Sequence, residues 1–262
     1  MELDDPHFWQ PVSQEAQYLE EFRQDHQEQV WQAHQEQSWK AIAREAQDHR
    51  DATVSRIEPE VPDIPGDRLP LRSIGIPQGL LEPTEIYITE LPPEDLLRKL
   101  ARGTLTATGV TRAYLRRAGL AQKLTNCITE LLPERALSRA RWLDEYYAKH
   151  GKPLGPLHGL PISLKESIGL EGLGLNGGYV AFWSRQAEED AYVAEILRAN
   201  GAIWYARTTQ PQSIMHLETD SNLYGVTVNP YDRRRTAGGS TGGEGALIGL
   251  QGSCLGLGTD IG

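Results

Sequence analysis

The chain has 262 residues, of which 39% are apolar and 24% are charged, a length typical of one or two domains. These proportions exclude a wholly disordered chain and a protein with several membrane spans. The net charge is −10, of which residues 1–75 carry −9 (16 acidic and 7 basic side chains), so nucleic acid and anionic lipid are not expected partners.

Three features of the sequence predict a cytoplasmic protein. The chain starts with Met-Glu-Leu-Asp-Asp-Pro, which lacks the basic start and the apolar run of a secretory signal. Cys127 and Cys254 are too few for a disulfide framework, and we expect two buried thiols in a reducing compartment. The uncharged run over 245–259 is too short and too rich in glycine to span a bilayer, so no membrane span is expected.

Residues 1–56 are predicted to form a glutamine-rich helical arm. Residues 1–50 contain ten glutamines, and 13–50 lack both glycine and proline. An apolar stripe follows one face of this helix, formed by Trp31, Trp39, Ile42 and Ala46. A stripe this narrow predicts packing on the domain or on a protein partner.

The arm also carries three histidines that raise the question of a metal site. They are His26, His34 and His49, and the first two lie about two helical turns apart. A metal site needs three or four converging ligands, which this spacing does not supply. We therefore predict solvent-exposed histidines and no metal site.

Residues 57–93 are predicted to be a proline-rich connector. The segment contains eight prolines, the last two at Pro92 and Pro93. Proline removes backbone donors and favours extended geometry. We expect this stretch to run along the surface in an extended form.

Residues 94–262 have the pattern of a compact α/β domain, which opens with three helices. The first begins near Pro93, with acidic residues in its first turn, and ends at Gly103. Thr104 or Thr106 can cap the second helix, and the two alternatives stay open. The third helix extends over 133–151.

Two buried strands follow the helices. The apolar run Leu160–Leu164 predicts a strand with Lys165 at its tip, and Ala202–Ala206 predicts a second. A helix over 187–199 lies between them. This alternation predicts a layered α/β sheet.

A glycine-rich turn at 238–245 surrounds Ser240 and Thr241 and has three competing interpretations. A phosphate loop requires a Gly-Lys-Ser/Thr sequence, and no lysine follows Ser240. The Gly-x-Gly-x-x-Gly dinucleotide pattern does not fit the spacing well. A structural turn before a buried helix over 246–250 is the third interpretation. No cofactor is expected.

The combination of motifs resembles the amidase signature family. Residues 238–246 have the sequence Gly-Gly-Ser-Thr-Gly-Gly-Glu-Gly-Ala, and 258–262 have Gly-Thr-Asp-Ile-Gly. The segments 160–166, 211–213 and 225–230 also match the family pattern, while 124–130 and 143–153 are similar to its fungal acetamidase and general amidase members. The resemblance implies a mixed β-sheet covered by α-helices, of which this chain holds an N-terminal portion.

The family resemblance also implies a Ser–Ser–Lys triad that hydrolyses the carbon–nitrogen bond of a small amide. Lys165 corresponds to the lysine and Ser240 to the bridging serine, while Thr241 stands where many members carry another serine. The positions implied for substrate binding are Ile214 (or Met215), Ser240, Ile261 and Gly262, the last two through oxyanion-binding N–H groups; Thr259 and Asp260 are supporting residues.

The lysine can act as a base only when it is deprotonated. Its reference pKa is ~10.4, so neutrality near pH 7 costs about 4.6 kcal/mol unless burial lowers the pKa. The apolar run before Lys165 offers that desolvation, and Ser240 would relay the proton. This chemistry predicts that the side chains of Lys165 and Ser240 lie in contact.

The nucleophile of the family is the serine of Gly-Gly-Ser directly after Thr-Asp-Ile, two positions beyond Gly262. We therefore expect negligible amidase activity from the 262 residues alone, and low solubility because unpaired sheet edges would be exposed. The alternative interpretation is a catalytically inactive protein that binds a partner through the N-terminal helix.

Overall fold

The computed structural model describes residues 39–64 and 69–260 of the chain. Residues 43–262 belong to one compact unit, and the predicted boundary of the arm at residue 56 stays a prediction. The first helix of the described residues, α1, extends over Trp39–Ser55 and ends four residues before Pro59, the next proline in the chain. Trp31, His26 and His34 lie outside the described residues.

His49 is exposed, as expected, but it also has partners within the domain. Its Nε2 lies 3.4 Å from Glu130 Oε2, and its ring packs edge-on against the ring of Trp183. The hydrogen bond with Glu130 raises the pKa of His49, against the opposing effect of burial. The partner was not predictable because Glu130 lies 81 residues away in the sequence.

The proline-rich segment is not extended throughout, which corrects the prediction of an extended connector. It contains two short helices, α2 over Pro77–Leu80 and α3 over Pro83–Thr89. In each, proline stands at the start of the helix, where its missing N–H costs no hydrogen bond. Glu82 and Glu85 add a reciprocal capping box at the start of α3.

The three helices expected at the start of the α/β domain are confirmed. They are α4 over Pro93–Ala101, α5 over Ala107–Thr125 and α6 over Pro133–His150. Thr106 is the cap of α5, since its side chain accepts a hydrogen bond from Gly109 N. Gly151 ends α6 with a left-handed backbone (φ 65°), which glycine adopts without steric cost.

A four-stranded mixed sheet forms the centre of the domain, as predicted. Its order is β1-β3-β2-β6, with β1 over Ile128–Leu131, β2 over Pro161–Lys165, β3 over Ile203–Thr208 and β6 over Gly256–Leu257. Strand β3 is parallel to β2 and antiparallel to β1, and β6 is parallel to β2. All residues of β2 and β3 are buried, including the polar residues at their C-terminal ends, Lys165 and Thr208.

The helix between β2 and β3 begins later than predicted. Helix α7 extends over Tyr192–Ala199, and not from residue 187. Ala187 N donates instead to Leu173 O, and Ala187 forms an isolated bridge with Glu171. A tertiary pairing that the local pattern does not reveal therefore takes the place of the first helical turn.

Two further strands and one α-helix lie after β3. Strands β4 (Asp220–Ser221) and β5 (Gly225–Val226) form a small antiparallel pair, and helix α8 extends over Gly242–Gly249. Helix α8 begins four residues before the predicted start of the buried helix, inside the glycine-rich turn.

The core of the domain lies between the sheet and helices α5 and α6. It includes Leu115, Leu124, Ala140, Leu164 and Tyr205, all of them buried. Cys127 is buried as expected, whereas Cys254 is half-buried, and neither thiol is in a disulfide. Within residues 39–64 and 69–260, no helix combines the length and the hydropathy that crossing a bilayer requires.

Candidate active site

Lys165 is the last residue of β2, and its side chain is fully buried. Its Nζ is surrounded by neutral oxygen atoms: it lies 2.7 Å from Ser240 Oγ, 2.8 Å from Thr259 Oγ1, 3.1 Å from Thr241 Oγ1 and 3.4 Å from the Thr259 carbonyl oxygen. A lysine at a buried strand end with this set of partners is not an ordinary solvated lysine. The contact between Lys165 and Ser240 that the sequence predicts is therefore present.

Burial makes the charged form of Lys165 less favourable than it is in water. Burial lowers the pKa of Lys165, and the negative charges of Asp260 and Glu244 oppose that effect without cancelling it. Desolvation disfavours the charged form of any amine, which is the effect that prepares a lysine to accept a proton.

The glycine-rich turn brings Ser240 and Thr241 to Lys165. The peptide bond between Gly239 and Ser240 is cis. A Cβ atom at Gly239 would lie 2.7 Å from Glu218 N, and one at Gly243 would lie 2.5 Å from Thr209 N. Only glycine permits such close backbone approach, so these positions determine how near the two hydroxyl groups come to the end of β2.

Thr241 and Thr259 also form a hydrogen bond with each other. Thr241 Oγ1 donates to the Thr259 carbonyl oxygen at 3.0 Å, and both side chains contact Lys165 Nζ. From the sequence, Thr241 had no expected part in the site and Thr259 only a supporting part. The structure places both against the amine.

Glu244 is a site residue that the sequence analysis missed. It lies in the first turn of α8 and is buried, with Oε2 accepting from Ser163 Oγ (2.6 Å) and Oε1 accepting from Thr208 Oγ1 (2.9 Å). Burial raises the pKa of Glu244 to about 7, although both hydrogen bonds and the charge of Lys165 oppose the shift. The available signal was an acidic residue at the start of an otherwise apolar helix.

Glu166, the residue after Lys165, is a second missed carboxyl group, and it organises a loop instead of contacting the amine. Its Oε1 accepts from Asn176 N at 2.6 Å, and its Oε2 accepts from Gly177 N at 3.1 Å and from the amide of Gln210. Burial raises the pKa of Glu166. The loop that it holds belongs to the wall of the neighbouring cavity.

Ile214 lies in that cavity, which has a volume of about 230 Å³. The cavity is also lined by Ser167, Leu175, Tyr179, Phe182 and Ser213, among others. Ser213 and Ile214 both have positive φ angles (67° and 63°), which is rare for a β-branched residue such as isoleucine. Such backbone outliers occur preferentially at functional sites. Met215, the alternative position, is mostly exposed.

Three further residues are predicted to take part in the site, and they are Asp260, Ile261 and Gly262. Asp260 is exposed, and its charge acts on the pKa of Lys165. Ile261 and Gly262 lie outside the described residues. In the part of the chain that the structure covers, no group of three or more His, Cys, Asp or Glu side chains is arranged to hold a metal ion.

Comparison with protein families gives one match that covers more than half of the chain. The model of the family described as Amidase matches residues 109–262. Two similar curated proteins are the acetamidase of Emericella nidulans, 48% identical over 184 residues, and the acetamidase of Aspergillus oryzae, 44% identical over 184 residues. Each alignment covers 70% of this chain and 34% of the relative, so the chain spans about a third of the length of these relatives.

Comparison with solved structures agrees with the match to the Amidase family model. The chain is similar to a fatty acid amide hydrolase with a TM-score of 0.78 and 34% sequence identity. The similarity covers 86% of this chain and 40% of that one. The arrangement of helices around a mixed sheet is therefore the fold of that structure over the part that the two chains share.

Proposed function

Because the chain belongs to the amidase signature family, we propose that it supplies Lys165 and Ser240 to a Ser–Ser–Lys centre that hydrolyses the carbon–nitrogen bond of a small amide. The observation that carries this proposal is the 2.7 Å distance between Lys165 Nζ and Ser240 Oγ at a buried strand end. The family match supports the reaction class, and the short distance between the two side chains supports this proton path.

In this proposal Lys165 is the base and Ser240 is the relay. The neutral amine takes the proton of Ser240 Oγ while Ser240 takes the proton of the attacking serine, whose oxygen bonds to the amide carbonyl carbon. The proton then returns through Ser240 to the nitrogen of the leaving amine as the carbon–nitrogen bond breaks. Water hydrolyses the resulting ester by the same path.

The hydroxyl groups of Thr241 and Thr259 keep the amine in place through this cycle. Each can accept a hydrogen bond from Lys165 Nζ, and the mutual contact between the two threonines limits their movement. The amine thus keeps its orientation toward Ser240 as it gains and loses a proton. Asp260 and Glu244 supply negative charge that stabilises the protonated state of Lys165 when it forms.

We place the nucleophile at the family serine two positions beyond Gly262, and the oxyanion-binding N–H groups at Ile261, Gly262 and the residues that follow. Loss of a single oxyanion donor can cost roughly 3–4 kcal/mol of transition-state stabilisation. We therefore expect the 262 residues alone to have negligible activity. Sequencing directly after codon 262 tests this placement, since a continuing frame that encodes glycine and then serine is expected.

The substrate side of the proposal rests on the cavity beside Ile214. Its volume of about 230 Å³ and its aromatic wall at Tyr179 and Phe182 suit a small amide with an apolar acyl group. Two of the similar proteins are named acetamidases, which agrees with a small acyl group. Enlarging this cavity with Phe182→Ala is expected to favour larger amides over acetamide.

The activity test compares Lys165→Met with a matched control, Lys149→Met, in the protein encoded by the whole continuing frame, because the 262 residues span only about a third of the length of the similar acetamidases. Lys149 lies exposed in the last turn of α6. Release of ammonia from acetamide is expected to fall by about a thousandfold or more in Lys165→Met and to stay unchanged in the control. Turnover by Lys165→Met at the parental rate, or by the 262 residues alone, would contradict the proposal.

The alternative function, binding of a protein partner through the N-terminal helix, depends on residues that lie almost entirely outside the described part of the chain. Trp39, one member of the predicted stripe, is half-exposed at the start of α1. This alternative gains weight if a stop codon follows Gly262, and it loses weight if the frame continues.

A further inference from the structure

A second cavity, of about 380 Å³, lies against one face of α6. Four residues of α6 contribute to it at helical steps of three and four, and they are Arg135, Ser138, Arg139 and Trp142. Arg198 from α7 and Trp204 from β3 close the opposite side. Three guanidinium groups and two indole rings therefore surround one space.

This cavity is separate from the candidate active site. Strands β2 and β3 are parallel, with Ile162 paired to Trp204 and Lys165 paired to Thr208. Trp204 is therefore near the start of β3, roughly 13 Å along the strand from the level of Lys165. A ligand in this cavity would sit at the opposite end of the sheet from the proposed triad.

The arginines are held in place by the indole rings. The guanidinium groups of Arg135 and Arg198 lie 5.0 and 5.3 Å from the ring centre of Trp204, and that of Arg139 lies 4.5 Å from the ring centre of Trp142. Attraction between a cation and the face of an indole ring restrains each guanidinium near its ring.

Positive charge exceeds negative charge around the cavity. Asp190 lies 3.5 Å from Arg135 and 3.9 Å from Arg198, so one carboxylate serves two arginines, and it also accepts from Glu171 N. Arg139 donates through Nη2 to the carbonyl oxygen of Arg198 at 2.9 Å, a neutral partner. Burial lowers the pKa of Arg139, and the charge of Arg198 lowers it further.

Two buried donors at this cavity have no hydrogen-bond acceptor among the described residues. They are Nε1 of Trp204, whose residue is only 4% exposed, and Nε of Arg139. Buried donors are satisfied in the great majority of native proteins. Unpaired donors beside a surplus of positive charge point to a ligand rich in acceptors and in negative charge.

We propose that this cavity binds a small oxyanion of the phosphate class, such as a phosphate monoester or a pyrophosphate. Arginine forks match the oxygen geometry of a phosphate with paired N–H donors, and Ser138 adds a hydroxyl group at the same wall. The volume exceeds that of inorganic phosphate alone and leaves space for a small organic substituent. A ligand bound in this cavity would not occupy the place of an amide substrate.

Calorimetric titration of the 262-residue protein with inorganic phosphate and pyrophosphate tests this proposal, with sodium chloride and sodium acetate at matched ionic strength as references. Both phosphates are expected to bind and to raise the melting temperature, pyrophosphate more strongly, while acetate and chloride have no such effect. Arg139→Gln is expected to weaken phosphate binding by about tenfold or more, because it removes a charged donor.

Arg141→Gln is the matched control, since Arg141 is exposed on the same helix and does not line the cavity. Its phosphate affinity is expected to remain within twofold of the parent. Arg198→Gln, at a half-exposed side chain, is a second variant if Arg139→Gln does not fold. Equal phosphate affinity in parent and cavity variants, or stabilisation by phosphate no greater than by chloride, would overturn the proposal.

Discussion

Glu244 is a carboxyl group in a place where its ionised form is disfavoured. Strands β2 and β3 supply its two hydroxyl donors, Ser163 and Thr208, and burial outweighs them. The same strands end at Lys165 and its paired residue Thr208, so the carboxyl group and the amine act on each other's charge. Any change of protonation at Glu244 therefore changes the pKa of Lys165.

This environment predicts a pH dependence of stability. The pKa of Glu244 is about 7 in the folded state and 4.5 in the unfolded chain, so the folded state holds an extra proton between these values. The contribution of this group to the free energy of unfolding is fully present below pH 4.5 and is lost as the pH rises through 7. The loss amounts to about 3 kcal/mol.

Glu244→Gln is expected to remove this dependence while keeping hydrogen bonds to Ser163 and Thr208. Urea unfolding at pH 5 and at pH 8 measures the effect, with Glu145→Gln at an exposed position of α6 as the control. From pH 5 to pH 8, the free energy of unfolding should fall more in the parent and in Glu145→Gln than in Glu244→Gln. Identical pH dependence in all three proteins would contradict the pKa shift.

At the scale of the element, α5 is held at its start by two independent caps. Thr106 Oγ1 accepts from Gly109 N at 3.1 Å, and the carboxylate of Asp144 in α6 accepts from Ala107 N (2.7 Å) and from Thr108 N (3.0 Å). Together they satisfy three of the four N–H groups that a helix start leaves unpaired. The local cap sets where α5 begins, and the distant carboxylate joins α5 to α6.

Loss of the local cap is expected to cost about 1 kcal/mol of unfolding free energy in Thr106→Ala. Thr104→Ala is the matched control, since Thr104 is exposed and its hydroxyl donates to Lys99 O instead of accepting from α5. Chemical denaturation of both variants measures the difference. A larger loss of stability in Thr104→Ala than in Thr106→Ala would show that Thr106 is not the cap of α5.

At the scale of the whole molecule, Arg117 connects three parts of the domain that are far apart in sequence. It is fully buried in α5 and donates to Thr89 Oγ1 at the end of α3 (2.7 Å), to Leu250 O after α8 (2.8 Å) and to Gln251 Oε1 (2.7 Å). Glu90 lies 3.6 Å from the same guanidinium. The helices that flank the sheet are thus tied together by one charged side chain.

Arg117→Leu is expected to lower the free energy of unfolding by about 3 kcal/mol or more, because it leaves buried acceptors and a carboxylate without their donor. Arg112→Leu, at an exposed position of the same helix, is the control and should change stability by less than about 0.5 kcal/mol. Thermal and urea unfolding measure both. A small effect at Arg117 would show that water replaces its contacts.

Local chemistry by itself determined much of this protein. Proline, threonine and glycine at helix ends predicted α4, α5 and α6, and an apolar run before a lysine predicted β2 with Lys165 at its tip. These features follow from interactions within a few residues, which a sequence states directly. The family motifs added the pairing of Lys165 with Ser240, residues that are 75 positions apart.

Only the tertiary structure decided the surroundings of these residues. Thr259 reaches Lys165 across 94 positions, Glu244 reaches Ser163 across 81, and the arginine cavity joins α6 to α7 and β3. The first two contacts depend on the sheet order β1-β3-β2-β6, which brings β6 and α8 beside β2. Burial, and with it the pKa of every group at the site, is a property of that packing, because desolvation depends on neighbours that are distant in the chain.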